Sequence, residues 1–122
     1  MGTPDTCMTP GTPPVAVPYP NISMTSTCAN ASPKVLIECM PTLNLMSTCS
    51  MSQGDEAGTL LGVATGMVMG PTIYLAGCTG VTIDGQPAQR LTSVTGHNCM
   101  ATSPNAPGST IAPSQETVLC LK

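Results

Sequence analysis

Seven prolines stand within the first 33 residues, at positions 4, 10, 13, 14, 18, 20 and 33. Proline lacks an N–H and clashes with the preceding helical turn, so this stretch is extended or looping and holds no regular helix. The constraint extends along the chain. Twelve glycines and 13 prolines among 122 residues, with no Trp or Phe and only 7% charged side chains, argue against long, charge-laced helices. An all-β chain of short strands and turns is expected, forming a single domain over residues 1–122. Its core would be built from Val, Ile, Leu and Met, which suit narrow spaces between closely approaching backbones.

The charge balance excludes several functions. The net charge is −3 and the fixed cations are Lys34, Arg90 and Lys122, too few to neutralise a run of phosphates, so nucleic acid is not an expected partner. The opening Met1-Gly2-Thr3-Pro4-Asp5 has neither the basic start nor the apolar run of a signal peptide. The most apolar stretch, Leu60 to Ala76, is broken by Gly62, Gly66, Gly70 and Pro71. It falls short of the ~20 apolar residues of a spanning helix, and no stable membrane insertion is expected. Seven cysteines admit two readings, disulfides or metal ligation, and the odd count and missing leader weaken the first.

An internal repeat organises the rest. Lys34-Val35-Leu36-Ile37-Glu38 is patterned as a short buried strand that Cys39-Met40-Pro41 ends, and Gly80-Val81-Thr82-Ile83-Asp84, alternating apolar and polar side chains on a core strand, is followed by the turn Gly85-Gln86-Pro87. Val35, Ile37 and Pro41 match Val81, Ile83 and Pro87 at one spacing of 46 residues. A third, truncated copy is read at Glu116-Thr117-Val118-Leu119-Cys120. Such units cannot each bury an apolar face, so they are expected to pack around a shared pseudo-threefold axis or onto another protein. Between the first two copies, Gly54 to Gly58 is a turn, and Leu60 to Leu75 offers Val63, Met67, Val68, Met69, Ile73 and Leu75 for further strands.

Pro87-Ala88-Gln89-Arg90 resembles the Pro-Ala-Ala-Arg motif that gives the PAAR family its name, and Pro41-Thr42-Leu43-Asn44 stands in the same place in the first copy. Val17-Pro18-Tyr19-Pro20-Asn21-Ile22 is similar to the Pro-Ile-Pro-Tyr-Pro-Asn signature of the PAAR-like branch, as is Gly54-Asp55-Glu56-Ala57-Gly58-Thr59 to a second segment of it. Together these segments span most of the chain. The resemblance implies a small conical or pyramidal β fold that caps the trimeric VgrG spike of a bacterial type VI secretion system. It would sharpen the spike for membrane puncture and help load or deliver an effector or adaptor, with one cap per trimer. It implies residence in the bacterial cytoplasm before firing and export through the apparatus. No catalysis is expected, and no effector domain is expected beside the cap.

The resemblance also implies a zinc ion gathering the loops at the point. Cys49 lies eight residues after Pro41, His97 ten after Pro87, and Cys7 in Asp5-Thr6-Cys7 also matches a family position. With Cys99 these give the expected tetrad Cys7, Cys49, His97 and Cys99. A second histidine of many relatives is replaced here by Tyr19. The bland alternatives are a hydrogen-bonded His97 and cysteines that pack as small apolar groups. Cys28, Cys39, Cys78 and Cys120 form the pool for packing or disulfides. Asp55 and Glu56 point to opposite sides of an extended chain and are read as a solvated turn rather than an acid/base pair. The nine methionines are read as core filling. Two rival functions remain: a secreted, disulfide-stapled structural or binding module, and a small zinc-dependent enzyme.

Overall fold

The computed structural model of the chain describes residues 1–113 and 115–120. Its strands are β1 (Gly2–Thr9), β2 (Val15–Asn21), β3 (Cys28–Ala29), β4 (Ser32–Ile37), β5 (Met40–Thr42), β6 (Thr48–Cys49), β7 (Thr72–Tyr74), β8 (Cys78–Ile83), β9 (Gln86–Ala88), β10 (Val94–His97) and β11 (Ala106–Ser109). One sheet runs in the order β2-β1-β11-β10-β7-β6-β3, and β4-β5 and β8-β9 form separate hairpins. The pairings are antiparallel. A single 3-10 turn at Thr25–Thr27 is the helical structure assigned, and no described helix is long and apolar enough to cross a membrane. The proline-rich start folds as the β1-β2 hairpin. Pro18 and Pro20 sit on β2, at the sheet edge, where a missing N–H breaks no ladder.

The 46-residue repeat is a repeat of structure. Each hairpin turns on two left-handed residues, Glu38 and Cys39 (φ 51° and 64°) in the first, Asp84 and Gly85 (φ 51° and 76°) in the second. That is the backbone whose twist suits a two-residue hairpin. Ser32↔Thr42 and Leu36↔Pro41 correspond to Cys78↔Ala88 and Thr82↔Pro87, with a register shift in the same place. The copies extend past the motif proline. The Asn44 N–H donates to Ser47 Oγ and the Arg90 N–H to Ser93 Oγ, both at 3.0 Å. The two units then join: the Leu45 N–H donates to Pro87 O (2.9 Å) and the Gln89 N–H to Leu43 O (3.2 Å). The Asp84 carboxylate receives Ser32 Oγ and pairs with Lys34 Nζ at 3.2 Å.

Three expectations are corrected. Glu116 to Cys120 is not a strand. It has no return strand beside it among the described residues, and the Gln115 side chain takes up its backbone instead, accepting from the Thr117 and Val118 N–H groups and donating to Val118 O. It does pack as a third sector against the hairpins, with Cys120 on Cys78, Ile83 and Ala88. Thr117 Oγ1 donates to Glu38 on the first turn (3.1 Å), as Ser32 does to Asp84 on the second. Leu60 to Pro71 forms turns, with a strand only at β7, because side chains replace the ladder. Asn105 Oδ1 accepts from the Ala64 and Thr65 N–H groups (2.8 and 3.2 Å), and Asp55 accepts from Met69 N–H.

The third correction concerns the core. Val35 and Val81 are exposed and Ile37 is half-buried, while Ile83 is buried with Cys78 and Ala88, with Cys120 packed against them. Elsewhere the buried interior is mostly polar, including Asp5, Asn21, Ser52, Asp55, Thr72, His97 and Asn98. Met24, Met40, Met46, Met51 and Met100 are exposed rather than core-filling. Among the described residues no second layer covers the outer faces of the hairpins, and the interior is held by hydrogen bonds.

Candidate functional site

The interior polar cluster is assembled by the two motif segments. Ile22 and Gln53 exchange backbone hydrogen bonds (2.7 and 2.8 Å), which sets Asn21 beside Asp55. Gly54 lies at φ 118°, and a Cβ there would fall 2.2 Å from the Pro20 carbonyl oxygen. Only glycine permits this approach. Gly58 closes the turn through its N–H to Asp55 O (2.9 Å), and its backbone packs so tightly on Cys7 that an added Cβ would lie 2.2 Å from the cysteine Cβ. Asp5 and Cys7, two apart on β1, share one face.

Around the two carboxylates stand three asparagines. Asn21 Nδ2 donates to Asp5 Oδ2 (2.7 Å) and Asp55 Oδ2 (3.3 Å). Asn98 Nδ2 donates to Asp5 Oδ2 (2.9 Å) and to Asp55 Oδ2, and Asn105 Nδ2 donates to Asp5 Oδ1. Asn98 is oriented by the Gly70 N–H, which donates to its Oδ1 at 2.6 Å. The Cys7 Sγ lies 3.8 Å from Asp5 Oδ1 and 4.0 Å from Asp55 Oδ2. Burial first, then the two carboxylate charges, push its thiol pKa up to about 12. Asp55 is thus wholly buried, contrary to the solvated turn expected of it, while Glu56 is exposed and accepts from the Gly54 N–H (2.9 Å).

The expected tetrad is not gathered into one centre. Cys49, on β6, is bonded to Cys28 on β3, its direct cross-strand partner, so its sulfur is not a free thiolate. His97, on β10, is buried between two hydroxyls, with Nδ1 3.3 Å from Thr72 Oγ1 and Nε2 3.3 Å from Thr95 Oγ1. Burial, then the N-terminal ammonium, lowers its pKa to about 4, so it is a neutral ring. Cys99 is buried behind Gly96, and burial raises its thiol pKa. Only Cys7 of the four belongs to a described cluster of possible ligands, with Asp5 and Asp55, whose donor atoms lie within 4.8 Å of one another. These residues do not fit a His- and Cys-built zinc. Asn21, Asp55 and Asp5 lay within or beside the motifs quoted from the sequence; Asn98 and Asn105 carried no sequence signal.

A second feature lies between the hairpins, a groove of about 690 Å³. Its walls include Met40 to Leu43 after the first turn, Ala88 to Leu91 after the second, and Val118 to Cys120 of the third sector. Both polar atoms of the Gln89 side chain are buried without a partner.

No curated protein and no solved structure matches the chain significantly. The family model described as the toxin PAAR-like domain matches residues 1–106, which covers the β1-β2 hairpin, both repeat hairpins and every residue of the polar cluster. The chain is a member of the PAAR-like toxin domain family.

Proposed function

We propose that the protein caps the trimeric VgrG spike of a type VI secretion system, with the open groove between the hairpins as its docking face. The observation that carries this reading is the open groove between the two hairpins and Val118 to Cys120. The first two copies pair through Leu43, Leu45, Pro87 and Gln89, whereas among the described residues no strand pairs with the segment that forms the third wall. Met40 and Leu91 stand on the groove's rim, 63% and 46% exposed, and Gln89 offers a buried donor and acceptor. A strand from a partner would satisfy such an edge by β-augmentation. A pseudo-threefold monomer can meet a true threefold end only in this way, one sector to one spike chain.

On this reading the protein resides in the bacterial cytoplasm before firing and leaves on the spike with an effector or adaptor as cargo. Its role is mechanical, not enzymatic. The secreted-module alternative finds little support, since Cys28–Cys49 is one bond and Cys7, Cys39, Cys78, Cys99 and Cys120 are free thiols. Binding of purified cap to immobilised VgrG trimer tests the proposal. Met40→Asp and Leu91→Asp should fold normally and lose binding, because each would bury a charge on docking, while Val15→Asp, exposed on β2, should bind as the unaltered chain does. Retention by the rim variants would refute the docking face, and failure of the unaltered chain to bind would refute the function.

A further inference from the structure

We propose that Cys78 and Cys120 are a redox-active thiol pair, and that their oxidation to a disulfide ties the C-terminal segment to the second hairpin. The proposal goes beyond the spike reading and does not depend on it.

Two observations carry it. Five cysteines are free thiols, and the fold sends three of them to separate places. Cys7 lies with Asp5 and Asp55, Cys99 behind Gly96, and Cys39 is exposed on the first turn. Cys78 and Cys120, far apart in sequence, come together instead: Cys120 packs on the small cluster of Cys78, Ile83 and Ala88. The pair has an inner and an outer member. Cys78 is wholly buried, whereas Cys120 is half-buried on the wall of the groove and open to a small reagent.

The second observation is the ring of contacts that joins the three sectors. Ser32, which opens the first hairpin, donates to Asp84 on the second turn, and Thr117 of the third sector donates to Glu38 on the first (3.1 Å). Cys78 opens the second hairpin in the place that Ser32 holds in the first, since Cys78↔Ala88 corresponds to Ser32↔Thr42. From there the ring should pass on to the third sector. Among the described residues no hydrogen bond makes that junction, and the packing of Cys120 stands in its place. A disulfide is the bond that closes the ring.

Closure proceeds by thiol–disulfide exchange, with a small-molecule disulfide such as oxidised glutathione as the electron acceptor. The Cys120 sulfur attacks that disulfide, forming a mixed disulfide and releasing one small thiol. The Cys78 sulfur then attacks the Cys120 sulfur and releases the second. The two protein S–H groups give up two electrons and two protons, and the small disulfide is reduced to two thiols. A reducing compartment keeps the pair open, and an oxidising one closes it. Once made, the bond fixes the third wall of the groove, which otherwise rests on packing and the Thr117 contact.

The test equilibrates the full chain with oxidised glutathione under native conditions and maps its peptides by mass spectrometry without reduction. A peptide linking Cys78 to Cys120 is expected, and the five free thiols should fall by two. The oxidised chain should melt several degrees above the starting one, because closing so long a loop restricts the unfolded chain. Cys120→Ser should lose both the linked peptide and the rise in melting temperature, while Cys39→Ser keeps them. If the buried Cys78→Ser fails to fold, Cys120→Ser still decides. An unchanged thiol count, glutathione left on Cys120, a Cys39–Cys120 bond, or a dimer joined through Cys120 would overturn the proposal.

Discussion

Replacing Asn98 by Ala probes the polar interior most severely. The side chain is wholly buried and bridges Asp5 and Asp55 through Nδ2 while receiving the Gly70 N–H on Oδ1. Truncation removes two hydrogen bonds to carboxylates, ~1.5 kcal/mol each at the low end, and leaves the Gly70 N–H without its acceptor, ~1 kcal/mol or more. Asn98 also lies at φ 51°, a left-handed conformation that costs a residue with a Cβ ~1 kcal/mol and that asparagine tolerates better than alanine. Entry of a water into the vacated space offsets part of this, so a net loss of about 4 kcal/mol is expected, a large share of a typical 5–15 kcal/mol stability. Urea unfolding followed by far-ultraviolet circular dichroism measures it. Asn98→Asp adds a contrast, keeping the acceptor for Gly70 but setting a third carboxylate against two; it should be at least as damaging near neutral pH and should recover in acid. A loss below ~1 kcal/mol for Asn98→Ala, within the range of ordinary surface substitutions, would refute the view that this network holds the fold.

Gly54→Ala should destabilise by ~2 kcal/mol or more, since φ 118° and the Pro20 carbonyl both oppose a Cβ; chemical denaturation reads it, and a neutral result would remove the reason given for glycine there. Stability should fall in acid through His97. Its folded pKa of about 4 lies below the 6.5 of the free ring, so the unfolded chain binds the extra proton first, stability is full above pH 6.5 and is lost as pH falls toward 4. The shift corresponds to at most ~3 kcal/mol, and His97→Gln should flatten that limb of the pH–stability curve. Ile83→Asp should prevent folding by burying a charge, whereas Val81→Asp, 40% exposed against 7% for Ile83, should fold; thermal melts distinguish them.

The hairpins are legible in the sequence because their signals are local. The motif prolines and the two-residue turns act within a few residues, and the structure repeats with the 46-residue phase of the sequence. The core is less legible. Alternation placed Val35, Ile37, Val81 and Ile83 on a buried face, but only Ile83 is buried, because alternation fixes which side chains share a face and not whether anything covers it. Asp55 read as a solvated turn residue because nothing local shows that Pro20-Asn21-Ile22, 34 residues earlier, closes over it. Asn98 and Asn105 are ordinary loop residues until β10 and β11 bring them to Asp5, about a hundred residues away in sequence. The third copy read at Glu116 to Cys120 is not a strand, because a strand there would need a partner that local pattern cannot supply.

The central claim is a cap of one chain on a trimer, and native mass spectrometry of the purified complex tests it most directly. Cap and VgrG co-expressed and isolated through a tag on the spike should give one cap for every three spike chains, with the ratio unchanged when cap is in excess. Three caps per trimer, a variable ratio, or spike recovered without cap would contradict the account.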